Sequence, residues 1–217
     1  MLSPTNPKYI IATLVAFVVG ITVHEFSHAW SALMLGDDTA ERQGRVTLNP
    51  LSHLDPVGSI GILFLVIGGF GIGWGRPVPI NPSRLKGHQR GAGLTAAAGP
   101  ISNVILAFLF VIPLRWGGID PGSMAYVFLR QLVLINLLLA AFNFIPIPPL
   151  DGSKILTGAL PRFWTPYLAP LEQYGVVILI VLIFFGSLSS AILTPMYAPV
   201  YDLLSRIIVG GTSLPGI

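Results

Sequence analysis

Apolar residues fall into five runs along the chain, separated by short stretches rich in proline, glycine and charge. The runs cover about Tyr9 to Leu35, Pro56 to Trp74, Ala92 to Leu114, Ser123 to Ile145 and Tyr174 to Leu193. Crossing the hydrocarbon core of a bilayer takes about 20 helical residues. The first, third, fourth and fifth runs are therefore long enough to span. The second is short and ends in Gly68-Gly69-Phe70-Gly71-Ile72-Gly73-Trp74-Gly75, too rich in glycine for a stable helix. It predicts a re-entrant or interfacial element, tolerated where protein covers its backbone. Between the first two runs, Glu41 to Pro50 is polar, with strand-like residues at Arg45 to Leu48. In Arg76-Pro77-Val78-Pro79-Ile80-Asn81-Pro82 alternating prolines exclude a helix. The expected architecture is an all-α polytopic membrane protein. It has four to five transmembrane helices, plus a short re-entrant or extended/β element between the first and third runs. We expect a single integral-membrane domain over residues 1–217, with its core at 9–160 and an additional C-terminal helix at about 174–193.

Composition strengthens this picture. Of 217 residues, 53% are hydrophobic and 10% charged, whereas a soluble domain carries about 25% charged residues. The net charge of +3 is small and scattered, which speaks against nucleic acid as a partner and makes Lys and Arg markers of topology. With no cysteine, disulfides and thiolate metal ligands are excluded. The start, Met1 to Lys8, is polar and broken by proline, and the run behind it continues into His24-Glu25. No small-residue cleavage site intervenes, so we read a retained membrane helix and not a signal peptide.

The first run contains His24-Glu25-Phe26-Ser27-His28, an H-E-x-x-H pattern. Residues i and i+4 share one face of a helix. Two imidazoles there can reach one Zn²⁺ at about 2.0–2.1 Å. Glu25 lies beside the metal without being a ligand, where it can take a proton from water. The alternative is a group of buried polar residues with no metal. Against it, an ionisable side chain near the middle of a membrane helix costs about 2.5 kcal/mol or more. The chain has only four His and three Glu, so clustering three of them in an apolar run points to function.

A catalytic zinc site needs a third protein ligand and an open position. His53, His88 and the carboxylates are candidates. Asp151 stands out at the end of the fourth run, in Asn143-Phe144-Ile145-Pro146-Ile147-Pro148-Pro149-Leu150-Asp151-Gly152. Its alternative role is to cap a short helix over Ser153 to Leu160. His53 and His88, in polar loops, read as solvated or hydrogen-bonded. If the second run enters and leaves on one side, the ends carrying His28 and Asp151 share a face. That face then receives Arg42, Arg45, Arg76, Arg84, Lys86, Arg90, Lys154 and Arg162, and the other Lys8, Arg115 and Arg206. By the positive-inside rule the richer face is cytoplasmic, the N-terminus is outside, and the metal lies toward the cytoplasmic side of the cell membrane.

Three motifs together resemble the site-2 protease family of intramembrane zinc metalloproteases. They are His24-Glu25-Phe26-Ser27-His28, then Gly99-Pro100-Ile101-Ser102-Asn103, similar to the family's G-P-x-x-N, and Asn143 through Leu150-Asp151-Gly152, similar to its N-x-x-P…L-D-G. The stretch Gly44-Arg45-Val46-Thr47-Leu48-Asn49-Pro50 is also similar to the minimal bacterial and archaeal members, which carry no PDZ domain. The resemblance implies one zinc per chain, with Asp151 as third ligand and Glu25 as catalytic acid/base. It suggests that Asn103 and Asn143 line the site in substrate binding or oxyanion stabilisation. For Asn103 the structural alternative is a buried interhelical hydrogen bond. It also implies a membrane-protein substrate with a transmembrane helix, such as an anti-sigma factor or a remnant signal peptide, in regulated intramembrane proteolysis. A metal transporter would also use intramembrane His and Asp, but it needs no glutamate beside the first His and usually shows paired repeats; none is seen.

Overall fold

The structure is a computed structural model and describes residues 6–68, 73–185 and 189–209. Helix α1 (Pro7–Met34) starts where the Asn6 side chain accepts from the amide of Lys8 at 3.0 Å, with Pro7 in the first turn. A short α2 (Thr39–Arg42) and a 3₁₀ turn (Pro50–Ser52) precede α3 (Pro56–Gly68). Two long helices follow, α4 (Gln89–Trp116) and α5 (Met124–Asn143), the latter capped by Ser123 on the amide of Tyr126. Then come α6 (Asp151–Ala159), α7 (Thr165–Phe184), a π-helical turn (Ser189–Leu193) and α8 (Thr194–Val209). Among the described residues, five stretches are long and apolar enough to cross a membrane: Pro7–Met34, Gln89–Trp116, Met124–Asn143, Pro166–Phe184 and Ser190–Val209. Their outward side chains, such as Ile101, Ile105 and Phe108 of α4 and Val177 of α7, are exposed and apolar, as a lipid-facing surface requires.

Helices α1, α4 and α5 form the centre. Thr13 meets Gln131, and Gly20 meets Asn136 and Leu139, so α1 and α5 run in the same direction. His24 meets Asn103 while His28 meets Thr95, so α4 runs opposite to α1. Val111 and Leu114 of α4, Tyr126 of α5 and Ile208 of α8 pack together at one end of the bundle. At the other, Ile145, Ile147 and Leu150 pack with Leu179 and Leu182 of α7 and with Leu193.

The second apolar run folds back on itself. Residues 56–68 form α3, and 69–72 of the glycine-rich end lie outside the described residues. The chain returns so that Leu54 and Gly75 form an antiparallel bridge and the amide of Arg76 donates to His53 O at 2.7 Å. The run thus leaves and re-enters the bundle at one place. Ile62 anchors it on Phe17 and Ile21 of α1.

Two expectations change. No strand occurs among the described residues. Arg45 to Leu48 bends at Val46 and Thr47 and joins no ladder; Thr47 O is taken by the His53 ring (Nε2···O 2.7 Å) and not by a neighbouring strand. Nor does one C-terminal helix cover 174–193. Helix α7 begins nine residues earlier, at Thr165, with Pro166 in its first turn, and ends at Phe184; α8 then carries the chain to Val209. The prolines at 166, 170, 195 and 199 hid both helices. Proline is accepted in a helix's first turn and, in membrane helices, also further inside.

Candidate metal centre and its surroundings

Helix α1 brings His24 and His28 one turn apart onto the face that meets α4. Both are buried, as are Glu25 and Asp151. What lets two imidazoles fit between the helices is Gly99. A Cβ at that position would sit 2.3 Å from His28 Nε2 and 2.7 Å from His24 Cε1, so any side chain there would occupy the imidazoles' space.

Asp151 comes from the opposite side, at the start of α6. It does not act as a helix cap: Leu150 holds the N-cap position, and no side chain bonds the first turn. Helix α6 lies close to the first half of α4. Gly93 and Gly158 face each other with less than a side chain of room, and the Gln89 side chain donates to Thr157 O at 2.6 Å.

Three ligand atoms converge. His24 Nε2 and His28 Nε2 are 3.0 Å apart, and Asp151 Oδ2 is 3.0 Å from the first and 3.2 Å from the second. Backbone carbonyls fix which way the protons point. Gly20 O can only accept, so the Asn103 amide nitrogen must face it (3.1 Å) and the Asn103 oxygen must face His24 Nδ1 (2.6 Å). His24 is then protonated at Nδ1. Thr95 O, 2.7 Å from His28 Nδ1, fixes His28 in the same way. Both Nε2 lone pairs therefore point at the Asp151 oxygen, with no proton between them in the neutral rings. Three electron pairs this close repel unless a cation sits among them. Tetrahedral zinc with bonds of about 2.0–2.2 Å spaces its ligands about 3.3–3.6 Å apart, within a few tenths of an ångström of the observed triangle. The donor set fits zinc, and the three residues form the group able to hold a metal among the described residues.

The remaining sequence candidates fall into two groups. Asn103 lies directly behind His24, wholly buried, and its amide hydrogens go to Gly20 O and to Asn136 Oδ1 (2.8 Å). It has no N–H left for a substrate oxygen. Asn143 turns back on its own helix, donating to Leu139 O at 2.9 Å. His53 is buried on Thr47 O, and His88 is exposed at the start of α4. Two contributors escaped sequence reasoning. Asn136, wholly buried, donates to Leu132 O and so turns its oxygen toward Asn103; its signal was a lone amide in the run Leu132 to Ala140. Thr95 acts through its backbone, which no side-chain pattern reveals.

A helical membrane bundle holding a buried His-His-Asp group able to bind a metal, with a glutamate beside the first histidine, fits the class of membrane-embedded zinc metalloproteases. The comparisons agree. The model of peptidase family M50 matches residues 121–186. YwhC of Bacillus subtilis (strain 168), named as a zinc metalloprotease, is 40% identical over 195 residues, covering 87% of this chain and 85% of its own. Rip2 of Mycolicibacterium smegmatis, named likewise, is 33% identical over 180 residues, covering 80% of this chain and 66% of its own. MJ0611 of Methanocaldococcus jannaschii is 43% identical over 76 residues, covering 35% of this chain and 36% of its own. No solved structure matches. The chain belongs to peptidase family M50, the site-2 proteases, and is a multi-pass membrane zinc metalloprotease.

Proposed function

We propose that the chain cuts peptide bonds in or near transmembrane segments of other membrane proteins, as a step of regulated intramembrane proteolysis. In this reading His24, His28 and Asp151 hold one zinc ion, and Glu25 moves the protons. The observation that carries it is the meeting of two oriented imidazole lone pairs and a carboxylate inside a bundle of membrane-spanning helices. Zinc, when bound, supplies Lewis-acid activation of water and of the peptide carbonyl. Glu25, on the next residue after a ligand, accepts the proton of the attacking water and passes it to the leaving amine. Asn103 keeps His24 in the tautomer that presents Nε2. Asn143 spends one amide hydrogen on Leu139 O, and in this reading its second is available to a substrate oxygen.

The substrate helix must unwind before its bonds can be reached. Its freed backbone groups would pair with an exposed edge of the protease, for which Arg45 to Leu48 and Arg76 to Ile80 are the candidates. A proline at Val46 or Thr47 should then slow cleavage and leave zinc in place; unchanged cleavage would remove that segment from the argument. The site faces the cytoplasm in this reading and the N-terminus lies outside. Anti-sigma factors and remnant signal peptides are the substrate classes that fit.

The deciding experiment measures zinc content and cleavage of a model membrane-helix substrate for the intact chain, Glu25→Gln and Asp151→Ala. Glu25→Gln should keep zinc and lose at least the factor of about 10²–10⁴ that general acid–base catalysis supplies. Asp151→Ala should bind zinc weakly. Full cleavage by Glu25→Gln with zinc bound would overturn the assignment.

A further inference from the structure

We propose that Arg45 is a positioning residue for the hydrolytic step, holding the Gly75–Arg76 segment against Glu25 and fixing where the Glu25 carboxylate points. The inference rests on the reading of Glu25 as the acid/base. Arg45 lies in the loop between α2 and α3, only 5% exposed. Its backbone is anchored by its amide donating to Ala40 O at 2.9 Å, and Nη2 donates to Arg76 O at 2.6 Å. Arg76 in turn donates its amide to His53 O at 2.7 Å, and Gly75 bridges to Leu54. Gly75 is where this strap reaches the site. A Cβ there would lie 3.3 Å from Glu25 Oε1 and 2.7 Å from Ile21 Cγ1. Arg45 therefore grips the peptide immediately next to the glycine whose missing side chain leaves room for Glu25.

A guanidinium this buried is ordinarily matched by a carboxylate. Among the described residues Arg45 has none within ion-pair distance, and its Nε is buried without a partner. Burial pushes the guanidinium below its ordinary value, and the charge of Arg76 adds to this; the one carboxylate whose field opposes it is Glu25. Keeping a charged, half-satisfied group here is costly for a packing role that methionine could fill. It is accounted for by an electrostatic hold on a carboxylate that receives no hydrogen bond from another side chain among the described contacts.

The test uses the full chain and a model membrane-helix substrate, comparing Arg45→Met, Arg45→Lys and Glu25→Gln. Arg45→Met is expected to keep one zinc per chain and an unchanged KM, with kcat lowered about 10–100-fold, the range seen when groups that orient a metal site are removed. Arg45→Lys restores charge but not the fork that reaches Arg76 O, so its kcat should fall between the two. Unchanged kcat in Arg45→Met overturns the proposal. So does loss of zinc, KM and activity together, which marks a purely structural residue. If Arg45→Met does not accumulate as folded protein, Arg45→Lys decides: lowered kcat with zinc retained supports the proposal, and full kcat overturns it. Glu25→Gln separates the two readings. Cleavage by Glu25→Gln removes the assignment of Glu25 itself, whereas an inactive Glu25→Gln beside a fully active Arg45→Met removes only that of Arg45.

Discussion

Gly99 shows how a single residue can be required for what it lacks. In an unconstrained helix, Gly→Ala gains roughly 0.5–1 kcal/mol. Here the added methyl would lie 2.3 Å from His28 Nε2. Gly99→Ala should thus leave thermal stability nearly intact while abolishing stoichiometric zinc, a combination that zinc analysis and a melting curve resolve together. If Gly99→Ala binds zinc normally, the imidazoles do not rest on α4 as described. Asn103→Leu tests the tautomer argument. It should weaken zinc affinity about 10–100-fold, measured by competition with a chelator, with His24 still present. The His24-Glu25-His28 constellation was legible in the sequence because its geometry is local, i to i+4 on one helix. The role of Asn103 was not. Which way its amide points depends on Gly20 O, 83 residues away, and only the assembled helices bring that carbonyl behind it.

Between elements, the position of the third candidate ligand depends on a helix crossing. Helix α6 carries Asp151 and approaches α4 where Gly93 and Gly158 meet; a Cβ on Gly93 would lie 2.9 Å from Gly158 Cα. Gly158→Val should push the helices apart, costing about 1–3 kcal/mol as overpacking does. It should lower zinc affinity although all three candidate ligands remain; unchanged affinity would show that α6 holds Asp151 by other means. A second clamp fixes the loop after the folded-back second run. Asp37, buried at the end of α1, accepts from Thr39 and from the amide of Asn81 at 2.6 Å. Burial raises its carboxyl, but the hydrogen bonds from Thr39 and Asn81 outweigh this and leave it below its ordinary value. A depressed carboxyl stabilises the fold above the unfolded-state value, about pH 3.9, and that contribution fades as pH falls through the lower folded value. Asp37→Asn should therefore be less stable than the intact chain at neutral pH, with the gap closing below about pH 4; a gap independent of pH would mean that Asp37 acts by shape alone. Sequence patterning found α1, α4 and α5 and the folded-back second run. It missed α8 and misread Arg45 to Leu48, because proline tolerance in a membrane helix and the pairing of a strand are both settled by neighbours.

For the whole molecule, composition alone indicated a membrane protein, and the packing adds which ends lie together. Leu114 at the end of α4, Tyr126 at the start of α5 and Ile208 at the end of α8 share one cluster. Arg115 and Arg206 therefore lie toward the same end. Lys8 belongs there too, since α1 and α5 run in the same direction. Arg42, Arg84, Lys86, Arg90 and Lys154 belong to the opposite end, with the loops after α1 and before α4 and with α6. Arg130 departs from the simple count of loop charges, because it lies inside α5 one turn beyond Tyr126. It adds to the sparser end and narrows the bias without reversing it. The positive-inside rule then predicts that the Lys86 end faces the cytoplasm. The absence of cysteine makes this directly measurable, since an introduced thiol is the sole labelling site. In intact cells, Pro121→Cys in the exposed turn between α4 and α5 should react with a membrane-impermeant maleimide, and Lys86→Cys should react only after permeabilisation. The opposite pattern would turn the molecule over and deny cytoplasmic substrates direct access to the site. Labelling of both in intact cells would mean that the α4–α5 pair does not cross the membrane as its length and apolarity imply.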